Sequence, residues 1–150
     1  MIYIAAHKKF DVPQLENYVP LQVGAEGKES LGYLQDNTGN NISNKNPNFC
    51  ELTGLYWIWK NTDDDYKGLV HYRRYFGKSN LSSSKRDIYT YEELIGFLKK
   101  ADIVLPYIEY FKESAKEEIL VKCSTPEIFD ELRRIVEKMY PEYIVAFDQY

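Results

Sequence analysis

The order of the apolar runs most limits what this chain can fold into. Ile2-Tyr3-Ile4-Ala5-Ala6 carries no charge and is rich in strand formers, and a second extended stretch, YVPLQVG, follows at residues 18–24. A helical pattern then covers residues 46–61, a strand pattern opens at Gly68, and helix and strand patterns recur at 91–100 and 101–106. Strands alternating with helices in this way predict an α/β domain with a mostly parallel sheet flanked by helices. Beyond Pro106 only helix is predicted, with Ile128, Leu132, Ile135 and Met139 on one face behind a start signal at Thr125 and Pro126. At 150 residues the chain suits a single domain, a size at which roughly two-thirds of the unfolded surface can be buried.

Local signals refine this outline. Proline lacks a ladder N–H, so Pro20 predicts an edge or irregular strand at 18–24. Within 46–61, Phe49, Leu52, Tyr56 and Trp59 repeat at helical spacing while Cys50, Thr53 and Trp57 line a second face, which predicts a helix covered on two sides. Its start is marked by Asn46 with Pro47, or by Asn48 with Glu51 three positions on. Thr90 and Glu93 form a capping box for the next helix. Residues 35–48, with six asparagines and a glycine, predict a loop, and the serine- and charge-rich 77–89 a mobile surface loop.

Composition removes several function classes. Nineteen Lys and Arg against 23 Asp and Glu leave a net charge of -4, so no field of the whole molecule draws in nucleic acid, and any anion site must be local. Cys50 and Cys123 are far apart without metal-ligand spacing and fit reduced thiols of a cytoplasmic protein. The chain start has no basic leader and no run approaches a membrane-spanning length, so neither a secretory signal nor a transmembrane segment is expected. The 14 tyrosines suit core and rim packing, and also surfaces that contact sugars.

In open α/β sheets the ligand crevice lies beyond the carboxyl ends of the strands. That rule selects His7, Lys8 and Lys9 after the first strand and His71, Arg73 and Arg74 after the later one. If 68–76 stays extended, His71, Arg73 and Tyr75 share one face, and Tyr72, Arg74 and Phe76 the other. An arginine fork fits a phosphate bidentately, although pairing with surface carboxylates is the competing reading. His71 is either a hydrogen-bonded core imidazole or an acid–base group. Asp36, Asn41, Lys45 and Asn46 precede a helix start, where free N–H groups favour anions. Glu51 either partners Asn48 in a cap or offers a carboxylate to a sugar hydroxyl or an arginine. Asp63 and Asp65 have the spacing of a divalent-cation pair, but they precede a strand and follow a helix, at the opposite rim, and read as a solvated turn. No metal ligands are assigned.

Together, the stretches IYIAAHKKFDVP, YVPLQVGAE, DNTGNNISNKNPNFCELTGLYWIWKN and GLVHYRRYF, in this order and spacing, resemble a family of bacterial glycosyltransferases of capsular and exopolysaccharide biosynthesis. The likeness is strongest over residues 2–110. It implies a Rossmann-like, GT-A type fold and transfer of a sugar from a nucleotide-diphosphate donor to a glycan or lipid-linked acceptor, at the cytoplasmic face of the membrane. The likeness carries over onto His7, Lys8, Asp36, Asn41, Lys45, Asn46, Glu51, His71, Arg73 and Arg74. Their individual roles are inferred from the chemistry of glycosyl transfer, with His7, Lys8, Asn41, Lys45, Asn46, Arg73 and Arg74 expected to hold the donor diphosphate and Asp36, Glu51 and His71 to supply the catalytic groups. A nucleotide-diphosphate sugar is the donor substrate expected beside that acceptor, and a divalent metal is left open without a residue set that supports it. Members of that family continue past PEYIVAFDQY, so a missing C-terminal portion is expected. The alternative function is then a non-catalytic nucleotide-sugar or glycan-binding module, with exposed surface suited to self-association as a homo-oligomer.

Overall fold

A computed structural model describes residues 1–79, 87–107, 117 and 127–149 of the chain. It divides into two compact units, Met1–Pro106 and Tyr107–Tyr150. The first holds a four-stranded sheet of β1 (Ile2–Ala6), β2 (Tyr18–Gln22), β3 (Leu34–Gln35) and β4 (Gly68–His71), in the order β3-β2-β1-β4. Every pairing is parallel, as the alternation of elements predicts.

Successive side chains of a strand point to opposite faces, and β1 is buried throughout, so it feeds two cores. Ile2, Ile4 and Ala6 pack with Tyr18, Val70, Tyr72, Ile88 and Leu94. On the other face Tyr3 and Ala5 pack with Leu21, Val23, Trp57 and Ile58. Pro20 sits opposite Ile4 in a strand with neighbours on both sides. The N–H of Val23 points at Ala6 and the carbonyl of Gln22 at Asp36, so the missing N–H of Pro20 falls on the β3 side. There β3 is too short to reach it, pairing only with Leu21 and Gln22. The strand is interior in the sheet and edge-like at that one residue.

The helical pattern of 46–61 becomes a 3₁₀ turn at Ser43–Lys45, a short helix α1 (Asn46–Phe49) and a longer helix α2 (Leu52–Asn61). The break falls at Cys50, whose φ of 47° is in the left-handed region. Pro47 lies in the first turn, as expected, but neither Asn46 nor Asn48 is an N-terminal cap, and Glu51 makes no side-chain cap hydrogen bond. Only one side of α2 is covered: Thr53, Gly54, Trp57 and Ile58 are buried, whereas Phe49, Leu52, Leu55 and Trp59 are exposed. The expectation of cover on two sides is corrected accordingly: among the described residues the sheet covers one side of this helix, and the loop at Thr38 and Asn40 bonds Trp57, Tyr56 and Asn61.

On the opposite face α3 (Tyr91–Leu98) begins with the expected capping box of Thr90 and Glu93. The ends of the expected loop 77–89 are tied together, with Lys78 N–H donating to the Asp87 carbonyl and Tyr89 N–H to the Phe76 carbonyl. The run 101–106 forms no strand. Ile103 and Leu105 are exposed while Val104 packs against the core, and among the described residues no neighbouring strand offers this run a ladder. In the second unit the helix Glu127–Met139 forms as the spacing predicts, with Ile128, Leu132, Ile135 and Met139 all exposed. The expected cap at Thr125 and Pro126, and Cys123, lie outside the described residues. Among the described residues no helix is long and apolar enough to cross a membrane.

The approach of α2 to the sheet is closest at Gly54, where an added Cβ would stand 2.7 Å from Cγ1 of Val23 and 3.3 Å from Cδ2 of Leu21. Gly54→Ala is expected to lower stability by about 1–2 kcal/mol, since overpacking of ~1–3 kcal/mol exceeds the helix-propensity gain of ~1 kcal/mol. Thermal unfolding checks this, and an unchanged or raised Tm contradicts it.

Candidate functional site

Parallel pairing of β1 and β4, with Ala5 opposite His71, brings the carboxyl ends of both strands side by side. β1 releases His7 and Lys8 at this rim, and β4 releases His71 and the arginines. The extended reading of 68–76 fails after His71. The His71 N–H donates to the Arg74 carbonyl at 3.1 Å and the Arg74 N–H to the His71 carbonyl at 2.9 Å, closing a tight turn over residues 71–74. The even and odd residues past 71 therefore do not divide between two sheet faces. Tyr72 stays in the fold through its N–H, which donates to the Ala5 carbonyl at 3.0 Å.

The buried ring of Tyr72 is the centre of the cationic group. Lys8 Nζ lies 5.7 Å and the Arg73 guanidinium carbon 5.2 Å from its centroid. The His7 and His71 rings are 5.2 Å and 4.3 Å from it, and 6.5 Å from each other. Among the described residues no carboxylate is within ion-pair distance of Lys8, Arg73 or Arg74. The competing reading, in which the arginines pair with surface acids, thus has no support there. The Arg74 side chain is exposed, and its charge is felt at His71.

His71 links this cluster to the helix side. Its Nδ1 accepts the Arg73 backbone N–H at 3.2 Å, which leaves the proton on Nε2, 3.5 Å from Glu51 Oε1. The imidazole is mostly buried, 14% exposed, whereas the Glu51 side chain is 45% exposed and open to a substrate. Burial holds the His71 pKa below its ordinary 6.5, with Arg73, Arg74 and His7 acting in the same direction and Glu51 opposing them. A neutral Nε2–H beside a reachable carboxylate can orient Glu51 as a proton acceptor.

The other candidates form a different structure. Asp36 is fully buried and accepts four hydrogen bonds: from the N–H groups of Gly24 at 2.8 Å and Ala25 at 3.0 Å, and from the hydroxyls of Ser43 and Thr53. Asn46 completes this clamp, donating to Thr53 Oγ1 and to the Cys50 carbonyl while its side chain covers Gly24, a residue at φ +60° with no room for a Cβ. Asn41 shapes the preceding turn, accepting the Ser43 N–H and donating to the Gly39 carbonyl. Lys45 is exposed on the 3₁₀ turn. The structure therefore gathers His7, Lys8, His71 and Arg73 around one ring, with Glu51 joined to them through His71, and puts Asp36, Asn41 and Asn46 into a loop framework. A carboxylate as enclosed as Asp36 cannot meet an acceptor hydroxyl.

Sequence reasoning missed Tyr72, Ser43 and Thr53. An aromatic among cations was the available signal for Tyr72; the hydroxyl partners of Asp36 had none. At the opposite rim, Asp64 accepts the Tyr3 hydroxyl at 2.7 Å, and burial, then this bond, pushes Tyr3 up to about 12.

A family model described as a domain of unknown function, DUF4422, matches residues 1–150. The chain belongs to the DUF4422 family. Among solved structures, this DUF4422 chain is similar to one described as the apo structure of WbbM, a bifunctional glycosyltransferase, with a TM-score of 0.77 and 28% identity. The likeness covers 99% of this chain and 30% of that one. No curated protein matches. The DUF4422 chain thus has a mostly parallel α/β fold similar to that of a glycosyltransferase, and its family match extends beyond residues 2–110 to the whole sequence.

Two outcomes follow from the geometry. Asp36→Asn puts an amide donor among four donors, and since hydrogen bonds to a charged group contribute ~1.5–3 kcal/mol each, a loss of about 3 kcal/mol or more in urea unfolding is expected. A loss under ~1 kcal/mol would contradict the clamp. For His71, the folded pKa is depressed, so below pH 6.5 the unfolded chain binds the proton first. Stability from this group is complete above that value, falls on acidification, and levels off below the folded pKa. His71→Asn should flatten that part of the stability–pH curve, and an unaltered slope would contradict it.

Proposed function

We propose that this chain is the donor-binding part of a glycosyltransferase that moves a sugar from a nucleotide-diphosphate donor to a glycan or lipid-linked acceptor in bacterial capsule or exopolysaccharide synthesis. The observation that carries this reading is the gathering of Lys8, Arg73, His7 and His71 around Tyr72, at the carboxyl rim where α/β folds bind ligands, with no carboxylate paired to Lys8 or Arg73 among the described residues. The likeness to a glycosyltransferase structure supports it.

In the proposed reaction the acceptor oxygen attacks the anomeric carbon, the bond from that carbon to the diphosphate breaks, and its electron pair stays with the diphosphate. Lys8, Arg73 and Arg74 stabilise that developing charge, as pre-placed cations do in a partly desolvated site. Glu51 takes the acceptor proton, oriented by His71 Nε2–H. Asp36, committed to its four donors, holds the loop instead of reacting. Because the chain spans 30% of the length of its structural neighbour, a second reading is a module that binds nucleotide-sugar without turnover.

Thermal shift and calorimetry against UDP, dTDP, GDP and their sugars test both. A ligand at a hundredfold its Kd adds about 2.7 kcal/mol of stability, so at least one nucleotide should raise Tm clearly. Arg73→Ala and Lys8→Ala are each expected to weaken its binding by about 10- to 100-fold. Glu51→Gln should abolish transfer and leave donor affinity unchanged. Equal donor affinity in parent, Arg73→Ala, Arg74→Ala and Lys8→Ala would rule out the diphosphate site, while tight binding without transfer to any acceptor selects the module.

A further inference from the structure

Nothing in the reading above gives Tyr72 a role, although its ring is the element around which Lys8, Arg73, His7 and His71 all lie. It is 9% exposed and pinned by its backbone to β1. Lys8 follows β1 and Arg73 follows β4, and both carry long side chains whose positive charges repel. Left alone, they would spread into solvent. Both lie within 6 Å of one ring centroid, the range in which an aromatic quadrupole attracts a cation. The ring is held from a third side by Phe10, at 5.7 Å, and by the edge contact of His7.

We infer that Tyr72 is a positioning residue, whose ring holds Lys8 and Arg73 together in the arrangement that receives the donor diphosphate. This deepens the proposed function and rests on it. Tyr72 itself does not touch the anion. Its contribution is to reduce the ordering that the two cations must undergo on binding, which is where preorganised sites gain affinity. The determinant is therefore the electron-rich face of the ring, with size and shape secondary.

That distinction sets the experiment. Binding of UDP and of inorganic pyrophosphate is measured by calorimetry for the full chain and for three forms at position 72: Tyr72→Phe, Tyr72→Leu, and a pentafluorophenylalanine introduced by stop-codon suppression. The fluorinated ring fills similar space but has a reversed quadrupole, so it stays comparable if the leucine form fails to fold. The expected result is affinity within twofold of the parent for Tyr72→Phe. A loss of about fivefold or more is expected for the fluorinated ring, with Tm close to that of the phenylalanine form, because a structural role alone would not respond to ring electronics. Equal affinity for the phenylalanine and fluorinated forms would overturn the role of Tyr72 and leave the diphosphate site standing. Absence of binding of pyrophosphate and of UDP, dTDP and GDP alike in the parent itself would overturn the site, and this inference with it.

Discussion

Parallel pairing between β1 and β4 is the constraint from which the rest of this structure follows. The two strands are more than 60 residues apart in sequence, yet their ladder aligns their exits, so that whatever follows Ala6 meets whatever follows His71. An antiparallel pairing would send these segments to opposite ends of the sheet. The ladder itself is held by apolar burial on both faces, since β1 contributes alternate residues to two cores. Local charge is thus assembled by a non-local pairing whose driving force is hydrophobic.

A second level of order comes from one carboxylate. Asp36 ties the segment after β2, the 3₁₀ turn and the first turn of α2 into a single buried knot. Its partners are all neutral, so the negative charge is stabilised by four dipoles with no counter-ion among the described residues, and removing any one leaves the buried carboxylate short of a hydrogen bond. Glu51 stands two residues from Thr53, and Asn46 from the same knot reaches the intervening turn at the Cys50 carbonyl. The exposed carboxylate near His71 is therefore placed by the buried one.

Much of this was legible locally and the remainder was not. Strands β1, β2 and β4 and the cap of α3 announce themselves through periodicity and a four-residue signature, which depend on near neighbours alone. The run 101–106 has the same apolar character as a strand, but a strand exists only where another offers it hydrogen bonds, and no window of sequence reveals that. The division of the helix at Cys50 is similar, since Asn46 and Thr53 impose a left-handed residue that a cysteine does not itself favour. The basic residues at the rim were identified by rule of topology. Asp36 enters as a reacting group through its place before a helix start and the family likeness, and one dimension does not distinguish its burial from exposure. Tyr72 was passed over since a ring behind a strand ordinarily reads as core, which it also is.

The sheet stops at β3, a strand of two residues. A free margin of unpaired amides is an invitation for foreign backbone, and long flat margins template fibres. Here the margin on that side is too brief to seat even one full turn of ladder, and Pro20 removes a further donor beside it. Copies of this chain that meet along that border find almost no backbone to bond, which leaves side chains to govern any contact made there.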